Sequence, residues 1–153
     1  MAVPLTVPIR HEPGYRTDTI GRFADGQFLA GVTAAFREDF HGADQWEPHK
    51  RWYAYLHRFD RDGHHLSSDI RFTGTTADGE REVVARAEQE LANLLAGLPD
   101  KHYCDVAIQL FQTTVDGVLF GLVDETDDEF GERAELYPDE LGFGPPWDGE
   151  YDT

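Results

Sequence analysis

Seven histidines and thirty carboxylates give this chain many metal ligands and acid–base groups, so spacing decides whether they encode any chemistry. His64 and His65 are adjacent on an expected strand, where neighbouring side chains point to opposite faces, so they cannot chelate one ion without a bulge. Asp60 and His65 would oppose each other across a hairpin ladder and, with one distant residue, are the candidate metal ligands; polar pairing explains the same two residues with less, and no metal is expected. Asp60-Arg61-Asp62-Gly63 opens like a calcium loop but lacks the third carboxylate and the bidentate Glu that such a loop needs. Tyr53, Tyr55 and His57 share one face and are candidates to line a ligand cavity, with His57 as the titratable group. A core histidine bonded to Ser68 accounts for the same face. Cys104 lies two residues after His102 and no Gly-x-Ser-x-Gly elbow occurs, so no catalytic residue and no cofactor is expected.

The elements that must position these groups are announced by Asp25-Gly26, Asp62-Gly63 and Asp116-Gly117, each set between strand-forming runs. A two-residue loop at the first places Phe23 opposite Phe28 and puts Phe23, Phe28, Ala30, Val32 and Phe36 on one face. The second sets Tyr53 opposite Phe72, Tyr55 opposite Ile70, His57 opposite Ser68, Phe59 opposite Leu66 and Asp60 opposite His65. In the third, Val115 faces Val118, Thr113 faces Phe120 and Phe111 faces Leu122; its two apolar faces predict a central position in the sheet, or burial by the arm and tail. Between the second and third hairpins the period becomes helical over about 78–96. There Val83, Val84, Ala87, Leu91, Leu94, Leu95 and Leu98 form one stripe, closed by Gly97 and Pro99. The expectation is an α+β fold: a single antiparallel sheet of about six strands built from three hairpins, in ββββαββ order, with one helix on one face.

One domain is expected over 1–153. Pro4, Pro8 and Pro13 predict an extended arm over 1–16, and 38–49 reads as a long loop carrying Trp46. Residues 124–153 hold 12 acidic side chains against Arg133 alone, a net −11 of the total −17. They read as an acidic tail, a solvated loop followed by an irregular segment anchored through Leu136, Tyr137, Leu141, Phe143, Trp147 and Tyr151.

A hydrophobic fraction of 40% argues for a folded chain, while the charge repels phosphate backbones, so nucleic acid and anionic membranes are excluded as expected partners. The single Cys104, the lack of a leader-like start and the lack of a long apolar run predict a cytoplasmic protein. Two lysines among 13 basic residues suit a GC-rich bacterial genome. A protein partner, basic in character, fits the surface, with Trp46, Asp124, Glu125, Asp127, Asp128 and Glu129 as candidate contacts. Three functions are compatible. They are a non-enzymatic protein-binding regulator or adaptor, an immunity or inhibitor protein that blocks a basic toxin or nuclease, and a small-molecule or metal-dependent activity around His57, Asp60 and His65.

Four segments also carry a likeness: Arg-His-Glu-Pro-Gly-Tyr-Arg-Thr-Asp-Thr-Ile-Gly-Arg (10–22), His-Lys-Arg-Trp-Tyr-Ala (49–54), Val-Asp-Gly-Val-Leu-Phe-Gly-Leu (115–122) and Pro-Trp-Asp-Gly-Glu-Tyr-Asp-Thr (146–153). The chain resembles small actinomycete proteins labelled formate hydrogenlyase regulatory protein. The resemblance implies a cytoplasmic, non-enzymatic regulator that acts through a protein partner.

Overall fold

The computed structural model of the protein describes residues 3–42 and 44–153. In chain order its elements are β1 (Val7–Ile9), β2 (Ile20–Phe23), β3 (Gly26–Ala35), β4 (Arg51–Phe59), β5 (His65–Thr75), α1 (Glu80–Ala96), β6 (His102–Tyr103), β7 (Val106–Ile108), β8 (Phe111–Val115), β9 (Val118–Asp124), β10 (Ala134–Tyr137) and β11 (Leu141–Phe143). The fold is α+β with one α-helix and antiparallel strand pairs. The expected single sheet of six strands does not form: among the described residues the strands divide into sheets ordered β5-β4-β3-β2-β6, β11-β10-β9-β8 and β1-β7.

Two faces of the five-stranded sheet explain the layering. Phe28, Ala30, Ala54 and Leu56 point to one side, where Leu94 and Leu98 cover them, with Phe23, Leu91 and Leu95 at the margin. Tyr53 and Tyr55 point to the other side and meet Val118 and Phe120 of the second sheet. Leu29 and Phe59 join the same interface through Phe111, Leu122, Leu136 and Phe143. The order of layers is therefore helix, sheet, sheet, because the middle sheet is apolar on both faces.

Local chemistry sets each hairpin. Asp116 (φ 54°) and Gly117 (φ 76°) both adopt the left-handed region that a type I′ turn requires, and the β8–β9 register is the expected one. The β4–β5 register also runs as expected from Tyr53↔Phe72 to Arg58↔Ser67. It then slips at a bulge, so Phe59 pairs with His65 and Leu66 is extruded, 57% exposed. The first hairpin turns one position earlier than Asp25-Gly26, at Ala24-Asp25, so Phe23 pairs with Gly26 rather than Phe28. Gly26 serves another purpose there, since a Cβ on it would collide with the Phe59 carbonyl of β4. The slip moves the partner by two, which preserves parity, and Phe23, Phe28 and Ala30 still share the helix-facing side. Phe36 lies beyond the end of β3 and stacks on Phe40 at 4.6 Å.

Two further expectations are corrected, and a third is met in one of its two forms. β8 is an edge strand rather than a central one, but the hairpin is buried by the arm and tail, with Val7, Ile9, Leu136 and Phe143 packed on Phe111 and Leu122, and β9 lies between β8 and β10. The tail supplies that neighbour: Ala134, Leu136, Leu141 and Phe143 alternate inward as β10 and β11 instead of forming an irregular segment, while Trp147 and Tyr151 pack on the same cluster. The arm, expected to lack regular structure, contains β1, in which Val7 and Ile9 are fully buried and pair with Ile108 and Val106. Pro8 is tolerated because β1 has one partner and a free edge. Gln27 ties this small sheet to the large one, its side-chain amide bonding both the carbonyl and the N–H of Ala107 at 2.9 and 2.8 Å. The helix begins at Glu80, after a turn in which Thr75 and Asp78 form a capping box.

Candidate functional site

His57 is placed by β4 on the face between the two sheets and is fully buried. Its Nδ1 lies 2.6 Å from Ser68 Oγ, the cross-strand partner on β5, and the same oxygen lies 2.7 Å from His65 Nε2. One hydroxyl thus bridges two imidazoles. Phe111 closes the site, edge-on to His57 at 4.9 Å and stacked on His65 at 4.7 Å. Burial, assisted by the neighbouring His65, pushes His57 down to about 3, so the ring is neutral at neutral pH. His57 Nε2 has no hydrogen-bond partner among the described residues. Tyr53 and Tyr55 stand on the same face, but both are core: Tyr53 is covered edge-on by Phe120 at 5.4 Å and accepts a bond from Arg51 Nε at 2.7 Å. Burial raises the Tyr55 phenol well above its ordinary value.

The structure does not bring Asp60 and His65 together. The bulge after Arg58 turns His65 inward against Phe111, whereas Asp60 stays in the turn, where Oδ1 accepts from the N–H groups of Asp62 and His64 at 2.9 Å each. These bonds, led by that from His64, lower the Asp60 pKa. Asp60, Asp62 and His64 do converge, with one ligand atom from each within 4.8 Å of the others. That trio is made by the turn itself: Asp60 Oδ2 is already engaged by His64 Nδ1 at 3.1 Å.

The acidic segment has more order than a solvated loop. Asp127 and Gly131 exchange both backbone bonds, at 3.1 and 3.0 Å, closing a tip of three residues between β9 and β10. The Asp127 carboxylate folds back on that tip and accepts from the N–H groups of Glu129 and Phe130 at 3.0 and 2.5 Å. Asp124 does the same one turn earlier, with Thr126, and its pKa is lowered by that residue. At the base, Glu125 N–H bonds the Arg133 carbonyl, and Arg133 reaches Asp152 at 3.0 Å. Side chains bonded to their own backbone hold the loop in one shape, which leaves Asp128 and Glu129 facing solvent.

Phe130 crowns this tip and is 78% exposed, the most exposed aromatic side chain in the described structure. No protein family, curated protein or solved structure matches the chain. Its chemistry must therefore be read from its own surfaces. Phe130 was not among the residues singled out from the sequence, although a lone aromatic ring inside an acidic run was a visible signal. Trp46, the one aromatic side chain among the expected contacts, is 43% exposed, with the Lys50 ammonium 5.9 Å from its ring; it is neither docked nor fully displayed.

Proposed function

We propose that this protein is a non-enzymatic, protein-binding regulator or adaptor that engages a basic partner through the tip between β9 and β10. The exposure of Phe130 carries the reading. An apolar ring held on a preformed turn and flanked in sequence by Asp127, Asp128, Glu129 and Glu132 suits a partner with an apolar pocket rimmed by Arg or Lys. Ordering of the tip before contact reduces the entropy lost on binding. Membership of the formate hydrogenlyase regulatory group is part of this proposal and rests on the four segments quoted above.

An inhibitor of a basic toxin or nuclease would use the same tip, and the carboxylate spacing favours neither reading over the other. The test is affinity capture from the native cell at low and high salt, with wild-type protein, Phe130→Ala and a variant carrying Lys at 127, 128 and 129. A partner recovered by wild type at low salt and lost with either variant supports the proposal. Equal recovery by all three, or no partner under either condition, overturns it. Loss of the captured partner's own enzymatic activity on binding would select the inhibitor form.

A further inference from the structure

In a chain with 30 acidic residues against 13 Lys and Arg, two clefts are lined by two arginines against one carboxylate. In one of them Arg71 is paired with Glu90 and Arg86 bonds the Thr73 carbonyl. The other has a volume of about 470 Å³ and is lined by Arg37, Arg51, His41 and His49, with Phe40 as an aromatic wall and Asp39 as its one carboxylate. Two parts of the fold build it: the chain leaving β3, over 37–42, and the segment entering β4, with Pro48, His49 and Arg51. Arg51 is fixed on three sides. Its Nε bonds the Tyr53 phenol at 2.7 Å, its Nη2 bonds Asp116 at 3.1 Å, and its guanidinium lies over the Phe72 ring at 4.0 Å. Nη1 makes no bond to any described residue.

Arg37 stands beside it. Its stem runs along Gly117, and Glu38 N–H bonds the Gly117 carbonyl at 2.8 Å, so the backbone is pinned to the β8–β9 turn. Burial raises the pKa of the Tyr53 phenol, and the positive charges of Arg51 and Arg37 both oppose that rise. Among the described residues Arg37 has neither an ion-pair partner nor a side-chain hydrogen bond. The turn from Arg37 to Phe40, closed by a 3.0 Å backbone bond, sets the ring of Phe40 between Phe36 at 4.6 Å and His49 at 5.0 Å. A strongly acidic protein that leaves one arginine unpaired next to a second, rigid one has donors in place for an anion it does not itself supply.

We propose that this cleft binds the phosphate group of a small phosphorylated molecule, held between Arg37 and Nη1 of Arg51, with His41 and His49 as further donors. A tetrahedral dianion matches several donors converging from different elements better than a planar carboxylate does. The volume exceeds that of phosphate alone and falls in the ordinary range for small-molecule sites, so the phosphate arrives on a larger body. Asp39 and Asp116 oppose the anion and limit its affinity.

The full chain, labelled with ¹⁵N, is titrated with inorganic phosphate, with AMP and with acetate at constant ionic strength, following backbone and Arg Nε signals. Phosphate and AMP should give saturable shifts at Arg37, His41, His49 and Arg51, with AMP at least as tight, whereas acetate should give none. Arg37→Ala, at an exposed position without partners, should weaken binding about tenfold or more, as loss of a charged hydrogen-bond donor does. Asp39→Asn should tighten it by a few-fold. Shifts scattered over basic residues elsewhere, the absence of saturation well above a millimolar dissociation constant, or an Arg37→Ala protein that binds like wild type would each overturn the proposal.

Discussion

Ser68 has one hydroxyl proton and two imidazoles to bond, so at most one ring can accept from it and at least one must donate to it. Burial makes His57 neutral, and a proton on Nδ1 leaves Nε2 as a bare acceptor, which costs less than an orphaned N–H. His57 Nδ1–H therefore donates to Ser68, a tautomer assigned from the bonding pattern, and the Ser68 hydroxyl proton is free to be donated to His65 Nε2. The same burial sets a pH dependence. The folded state holds His57 at about 3, below its ordinary 6.5, so between these values the unfolded chain takes up a proton that the folded protein refuses. Stability is then full above pH 6.5 and falls as pH drops, at about 1.4 kcal/mol per pH unit from this one group, until the folded pKa is reached. His65, also lowered by burial, adds in the same direction. His57→Leu keeps the Ser68–His65 bond and should flatten urea-denaturation stability between pH 6.5 and 4 relative to wild type; an unchanged slope would remove His57 as the cause.

At the scale of elements, Gly26 and Gly14 separate two uses of glycine. Gly26 has no left-handed φ, but a Cβ there meets the Phe59 carbonyl, so Gly26→Ala must push β3 from β4 and should cost about 1–3 kcal/mol, in line with overpacking elsewhere. Gly14 has φ +82° and open space around it, so Gly14→Ala meets only left-handed strain, about 1–2 kcal/mol, and should leave the sheets intact. Thermal unfolding with hydrogen exchange on β3 and β4 separates the cases. Only Gly26→Ala should loosen the strand pair. The same contrast explains what the sequence made legible. Asp116-Gly117 behaves as a turn because both residues take positive φ, whereas Asp25-Gly26 looks identical on paper but turns one residue early, leaving Gly26 in β3 against the Phe59 carbonyl of the sequence-distant β4. β10 and β11 were hidden by Pro138 and by neighbouring carboxylates, although Ala134, Leu136, Leu141 and Phe143 carry the inward alternation. The His57–Ser68 pair was legible from register alone; its second imidazole was not, because it depends on the bulge at Leu66. The acidic tip was legible as charge but not as shape, since its order comes from carboxylates that bond their own backbone.

At the scale of the whole molecule, a net charge of −17 on 153 residues works against compactness, and the pairs that relieve it are mostly exposed ones such as Arg10–Glu150 and Arg71–Glu90. Screening should therefore stabilise the fold. Raising sodium chloride from about 10 to about 300 mM shortens the Debye length severalfold, and the midpoint of thermal unfolding should rise; a fall would mean that attractive pairs outweigh the net repulsion. No described helix is long and apolar enough to cross a membrane. The backbone N–H of Arg10 bonds the carbonyl of Gly149, and Val7 pairs with Ile108, so the segment around β1 is joined to residues about 100 and 140 positions further along. Contacts between residues so distant in sequence must close the largest loops available, and that loss of entropy comes before the apolar gain. Denatured protein should therefore regain its native form on the slow scale of β-rich chains, as the time course of refolding after dilution from urea would show.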